Sequence, residues 1–190
     1  MDIRTVQGDI TEVESPAIVV NLFEGVAEPS GATGAVDQAL QGAIAALIAD
    51  GEIKGKKCEM TLVHTLGNLA ARRVLVTGLG KSEDLTVDVV RGAAGETARF
   101  LRSKGVVSFA SVVHGSGAGG LGTEECAQAM AEGTLMGLYR FDQTVPLEPL
   151  DDDFLVEVSF VLSGMIRTFE PLVRTFGGFS QPSDAAPAPR

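Results

Sequence analysis

Asp9 and Asn21 bracket the first stretch of the chain whose residue types could hold a ligand. Asp9 lies in the turn Gly8-Asp9-Ile10-Thr11, and Asn21 closes the apolar run Ala17-Ile18-Val19-Val20. A carboxylate accepts a hydrogen bond from an amino group such as that of adenine, and a carboxamide can bond a ribose hydroxyl. Two glycine-rich segments could complete such a site, Gly31-Ala32-Thr33-Gly34 and the loop from Gly115 to Gly122. Both follow strand-like runs and open helix-like ones, and ligands of open α/β sheets gather at that edge. The same residues admit a purely structural role. Glycines allow tight turns, and Asp9 and Asn21 could simply cap backbone groups.

Other motifs carry less chemistry. Gly115, Gly117 and Gly120 satisfy G-x-G-x-x-G between a strand and a helix, a pattern that brings backbone close to a pyrophosphate. A dinucleotide fold places it in the first βαβ unit with an acidic residue ending the next strand, and here it comes late. An anion at the helix N-terminus is the broader expectation. Gly80-Lys81-Ser82 ends like a triphosphate-binding loop, but position 75 is Leu75 where the pattern needs glycine. Ser116 lacks the glycine of a nucleophile elbow at position 114, which is His114, and the pair has no evident orienting acid. His64 and His114 have no nearby Cys or His partner of metal-ligand spacing, and neither do Cys58 and Cys126. Asp151-Asp152-Asp153 has the character of a solvated turn.

The elements that must position these residues follow from hydrophobic period. Ile3–Val6 and Ala17–Asn21 are expected to be strands. One helix is expected from Gly31 to Gly51, with Val36, Leu40, Ile44, Leu47 and Ile48 on its apolar face. Two strands, Glu59–His64 and Arg73–Thr77, flank the turn Gly67-Asn68, and their closeness suggests an antiparallel pair. A helix over about Thr86–Lys104 ends at Gly105, and a strand Val106–Val113 leads into the second glycine loop. A helix over Thr123–Leu138 and an alternating strand from Phe154 to Leu162 follow. Strands alternating with helices predict a three-layer αβα sandwich with a mixed, mostly parallel sheet.

Residues 1–163 are thus expected to form one domain, 164–180 a C-terminal appendage that could be helical, and 181–190 a disordered tail by composition. The net charge is −10, and residues 1–50 hold one basic residue against eight acidic ones. Only Lys54, Lys56 and Lys57 cluster, so a nucleic-acid partner is not expected. No apolar run approaches the ~20 residues of a membrane span, and the first residues lack a signal-like pattern. Two cysteines fit a reducing compartment. The expectation is a cytoplasmic protein without membrane contact.

Several ordered motifs carry a family resemblance. AIVVNLFEG, GAVDQALQGAIAALIADGE, GEIKGKKCEMTLVHTLGNLAARRVLVTGLGKSEDLTVDVVRGAAG and AMAEGTLMGLYRFD together resemble the N-terminal domain of the leucyl (cytosol) aminopeptidase family, over about residues 8–142. That domain is similar in fold to macro domains, which bind ADP-ribose. The resemblance implies that Asp9 would contact adenine and Asn21 the distal ribose. It implies a pocket of Asp9, Ile10, Asn21, Gly31, Gly34, Ala35, Val36, Gly115, Ser116, Gly117, Gly119 and Gly120. Where macro domains have a small, Asn- and Gly-rich segment, this chain has Leu22-Phe23-Glu24-Gly25, and Phe23 and Glu24 would fill the pyrophosphate space.

In that family a separate C-terminal domain holds two divalent metal ions, zinc or manganese, with a motif like NTDAEGR that this sequence does not contain. The expectation is therefore a non-catalytic assembly or regulatory domain, with no catalytic residues, metal or cofactor of its own. Its partner would be a further copy of the chain or a catalytic aminopeptidase domain, docked by Phe169, Phe176 and Phe179. The alternative is a module that binds ADP-ribose or a related nucleotide. Hydrolysis of such a ligand has less support, since only Asp9 or Asp37 offers a base.

Overall fold

The computed structural model describes residues 2–116 and 120–139, and the backbone of 157–162. Six strands are described, β1 (Asp2–Gln7), β2 (Ile18–Leu22), β3 (Met60–His64), β4 (Arg73–Gly78), β5 (Ser108–Val112) and β6 (Glu157–Leu162). They form one sheet in the order β1-β6-β5-β2-β4-β3. Every neighbouring pair is parallel except β3 and β4, which are antiparallel with Met60 opposite Thr77. The mixed, mostly parallel sheet is as the sequence predicts.

Helices α1 (Gly31–Ala39) and α2 (Ala43–Ala49) cover one face, and α3 (Val87–Ser103) and α4 (Thr123–Leu138) cover the other. The central strand explains the layering. Ile18, Val19 and Val20 are all wholly buried, as expected for β-branched residues in a strand covered on both sides. Ile18 and Val20 pack with Val36, Leu40 and Ile44 on the α1/α2 side. Val19 packs with Leu75, Ala94, Leu101 and Met130 on the α3/α4 side. The result is a three-layer αβα sandwich.

Local signals set most boundaries. Thr86 caps α3, its Oγ1 accepting from Val89 N at 3.3 Å. Gly105 ends that helix with φ +68°, and Val106 N donates back to Leu101 O at 3.0 Å. That return bond explains why β5 begins at Ser108 rather than at Val106. Glu59 lies outside β3, its backbone N turned back to Lys56 O at 2.9 Å, and its carboxylate accepts from Lys54 N at 2.8 Å and Lys56 N at 3.3 Å, which ties the lysine turn together.

One expected helix is two. Residues 31–51 keep a helical apolar stripe, but Gln41 and Gly42 take φ of +58° and +83° and break the helix. Asp37 makes the break stable. Its Oδ1 reaches forward from α1 to accept from Ile44 N at 2.8 Å and Ala45 N at 3.0 Å, capping the start of α2. The apolar period runs through both helices because Val36, Leu40 and Ile44 still share one core.

The start of the last strand at residues 154–156 lies outside the described residues. So do Asp151–Asp153, Phe169, Phe176, Phe179, the 164–180 appendage and the 181–190 tail. Among the described residues no helix is long and apolar enough to cross a membrane.

Candidate rim site at the sheet edge

The five parallel strands end at one edge, and β3, running the other way, begins there. Asp9, Asn21, Gly31, Gly80 and Gly115 all follow or adjoin this edge. β1 and β2 are not neighbours, since β6 and β5 stand between them. Asp9 reaches the rim by another route, a single 3-10 turn at Ile10–Glu12 packed against α1 and β5. Ile10 anchors that turn at 1% exposure, in the core with Val36, Leu40 and Ile44. Asp9 caps the turn, with Oδ1 accepting from Thr11 N at 2.9 Å and Thr11 Oγ1 at 2.7 Å. The backbone bond above all, then the hydroxyl, holds its carboxyl below the usual range.

Asn21 is the one polar residue of β2, and hydrogen bonds hold both its backbone oxygen and its side chain. Its backbone oxygen accepts from Thr33 Oγ1 at 2.7 Å, which pins the first turn of α1 to the end of β2. Its side chain meets His114, with Nδ1 3.3 Å from Oδ1. The His114 ring is wholly buried, its Nε2 lies 3.4 Å from Ser111 Oγ, and its backbone N donates to Met130 Sδ at 3.1 Å. Burial disfavours the charged imidazole and lowers its pKa to about 4. Of the two histidines the sequence shows, one thus lies at the heart of the rim.

That shift has a pH consequence. The folded value of about 4 lies below the ordinary 6.5, so the unfolded chain takes up the proton first as pH falls. Stability held above pH 6.5 is lost towards pH 4, by up to about 3 kcal/mol from this group alone. Urea melts at pH 7, 5.5 and 4 check it. His114→Gln should lose less stability over that interval than the parent protein does.

The first glycine loop forms the start of α1. Gly31 has φ +57°, and Ser30 at the cap position makes no side-chain bond to the helix. A Cβ on Gly34 would lie 2.8 Å from Pro29 O, so the chain approaches itself closely there. Val36 turns its side chain wholly into the core, and Ala35 is half-buried beside it. Only backbone groups of this segment remain for a ligand.

In the second loop, Gly115 has φ +76° and sits against Leu85, Val90 and Cys126. Ser116 Oγ shares a 2.6 Å hydrogen bond with Thr123 Oγ1, and Glu125 Oε2 accepts from Gly122 N at 3.3 Å. The carboxylate of Glu125 therefore stands at the N-terminus of α4, where an anion was expected. Gly120 has φ +74°, and Gly117 and Gly119 lie outside the described residues.

Phe23 and Glu24 are fixed by a three-way backbone junction. Glu24 N donates to Gly80 O at 2.9 Å, and Gly80 N donates to Gly55 O at 2.9 Å. A Cβ on Gly55 would lie 2.4 Å from Phe23 O. The segments after β2, before β3 and after β4 thus meet at one end of the rim. On sequence alone Asp37 is only a candidate base and His114 only a strand-end histidine or a partner for Ser116, and Glu59 has no role; Asp37 and Glu59 instead tie backbone turns, and His114 meets Asn21. The signal for Asp37 and Glu59 was present only as spacing, an acid seven residues before Ile44 and one five after Lys54. Among the described residues no group of three or more His, Cys, Asp or Glu is placed to hold a metal ion.

The sheet order, the layers and this rim define a macro-domain-like α/β module. A Trypanosoma brucei macrodomain in complex with ADP superposes with a TM-score of 0.68 at 18% identity, over 92% of this chain and 67% of that one. A tomato leucine aminopeptidase mutant superposes with a TM-score of 0.67 at 14% identity, over 92% of this chain and 34% of that one. Residues 19–144 match the cytosol aminopeptidase family, N-terminal domain, and the chain belongs to that family. It is 37% identical over 142 residues to a probable cytosol aminopeptidase of Geobacter sulfurreducens, covering 75% of this chain and 28% of the relative. A probable cytosol aminopeptidase of Alkaliphilus oremlandii is 31% identical over 146 residues, with the same 75% and 28% coverage. The chain spans about 28% of the length of these relatives.

Proposed function

We propose that this chain acts as a non-catalytic assembly or regulatory domain of a leucyl-aminopeptidase-like protein in the cytoplasm. The observation that carries this reading is the match of residues 19–144 to the N-terminal domain of that family. The rim's own chemistry supports it. Asp37 Oδ1, Glu59 Oε2, Glu125 Oε2 and the Asn21–His114 contact each help to hold the fold. The partner is a further copy of the chain or a catalytic aminopeptidase domain. Incubation with leucine p-nitroanilide and Mn²⁺ or Zn²⁺ tests the reading. No turnover above a metal-only control is expected, and robust hydrolysis refutes it.

A second reading has a specific observation behind it. Asp9, Asn21 and the start of α1 do share the C-terminal edge of the sheet, and the rim keeps an uncapped helix N-terminus at Ser30–Gly31. That arrangement suits ADP-ribose or a related nucleotide. Isothermal titration with ADP-ribose decides it. Binding that disappears in Asp9→Ala and Asn21→Ala supports the pocket, and no heat at millimolar ligand retires it.

A further inference from the structure

Asn21, His114 and Ser111 form a line of three side chains whose protons can be counted. Ser111 lies in β5 in register with Val19, so it shares the α3/α4 face. It is wholly buried, and its Oγ donates to Val112 O at 2.9 Å. A hydroxyl has one hydrogen, and of its two contacts the shorter, to Val112 O, is the better acceptor for it. Ser111 therefore meets His114 Nε2, 3.4 Å away, as an acceptor only.

The ring is neutral near pH 7, since burial keeps its pKa at about 4. A neutral imidazole carries one proton, on one nitrogen or the other. With the proton on Nε2, His114 donates to Ser111 Oγ and leaves Nδ1 bare. With the proton on Nδ1, the bare Nε2 faces a hydroxyl with no hydrogen to give, and a buried ring nitrogen goes unsatisfied. Folded proteins avoid that outcome.

A bare Nδ1 requires a donor opposite it, and what stands there, 3.3 Å away, is the Asn21 carboxamide. A half-turn about its last bond exchanges oxygen and nitrogen with almost no change in shape. The proton count therefore turns the NH₂ towards His114 and the oxygen away from it. Asn21 is only half-buried, so that oxygen can be reached. Its backbone oxygen is already taken by Thr33 Oγ1.

We propose that His114, protonated on Nε2, is a positioning residue that holds the Asn21 carboxamide with its oxygen facing the rim, so that the rim offers an acceptor to ligand hydroxyls such as those of a sugar diol. The orientation stands on the hydrogen-bond line alone, while the choice of a hydroxyl-bearing ligand rests on the nucleotide reading above.

Ring-nitrogen NMR on the ¹⁵N-labelled full chain near pH 7 reads the orientation directly. A pyrrole-like Nε2 and a pyridine-like Nδ1 are expected for His114, and a protonated Nδ1 overturns the proposal. Asn21→Asp puts an acceptor with no hydrogen opposite Nδ1. It should move the proton onto Nδ1 or charge the ring, and an unchanged tautomer overturns the contact. Should that variant fail to fold by circular dichroism, the parent spectrum decides alone. ADP-ribose titration supplies a separate arm. His114→Leu, folded by the same criterion, should weaken binding roughly tenfold, the scale of one lost hydrogen bond, and equal affinity overturns the positioning role. Absence of binding by the parent protein retires the nucleotide reading and leaves the tautomer result to judge the orientation.

Discussion

Gly133→Ala is expected to lower the unfolding free energy by about 3 kcal/mol, the upper end for an overpacked contact. Helices α3 and α4 touch backbone to backbone. A Cβ on Gly133 would lie 2.0 Å from Arg91 O and 3.2 Å from Ala94 Cβ, and one on Gly137 would lie 2.4 Å from Gly95 O. Neither carbonyl belongs to a flexible side chain that could swing aside, so the helices must separate. Separation would open the core built by Ala94, Ala98, Ala129 and Met130. It would also pull apart the Arg91–Glu132 ion pair at 2.8 Å, a half-exposed contact of minor weight. Gly92 in α3 is the control, because a Cβ there meets nothing within 4 Å. Gly92→Ala should stabilise by about 0.5–1 kcal/mol through helix propensity. Urea unfolding of both variants distinguishes a packing requirement from a general effect of glycine, and equal midpoints would contradict the account.

Gly78→Ala is expected to cost about the same, around 3 kcal/mol, and to do so at the rim. Gly78 ends β4, where its N donates to Glu59 O at 2.8 Å and its oxygen accepts from Cys58 N at 3.0 Å. A Cβ would lie 2.0 Å from Lys56 O and 2.8 Å from the Gly55 carbonyl carbon. The lysine turn must leave the strand end to make room, and Glu59 loses its bonds to Lys54 N and Lys56 N as it does so. Faster proteolysis after Lys54, Lys56 or Lys57 would accompany the loss of stability. A variant with the parent's midpoint and cleavage pattern would show that the turn is not held where described.

Both effects come from backbone contacts, and this marks the limit of what the residues alone disclose. The layered fold was legible because β2 is a continuous apolar run and α3 has a stripe from Val89 to Leu101 bounded by Thr86 and Gly105. The antiparallel β3–β4 pair was legible from its short connection. The break between α1 and α2 was not, because Val36, Leu40 and Ile44 keep helical spacing whether the backbone is continuous or bent. Only Asp37, reaching across the bend, betrays it. The rim was half legible. Asp9, Asn21, Gly31 and Gly115 do lie along one edge, but β6 and β5 stand between β1 and β2, and Asp9 reaches that edge through the 3-10 turn after β1. His114 was visible as a strand-end histidine. Its partnership with Asn21 depends on the crossing of β5 beside β2, a tertiary fact that no local spacing encodes.

The sheet order also constrains how the chain comes to be folded. Among the described strands β1 bonds only to β6, Asp2 opposite Glu157 through Gln7 opposite Leu162, and β6 bonds on its other side to β5. β1 thus waits for the last of the described strands before it finds a neighbour among them. β2, β4 and β5 with α3 and α4 can assemble on the ribosome well before then. Such a distant parallel closure is entropically slow, so residues 2–7 would be the last to lose their exposure during synthesis and the first to regain it under stress. A nascent chain halted before Glu157 would carry an open β5 edge and an unpaired N-terminal strand, two exposed templates for association with another such chain.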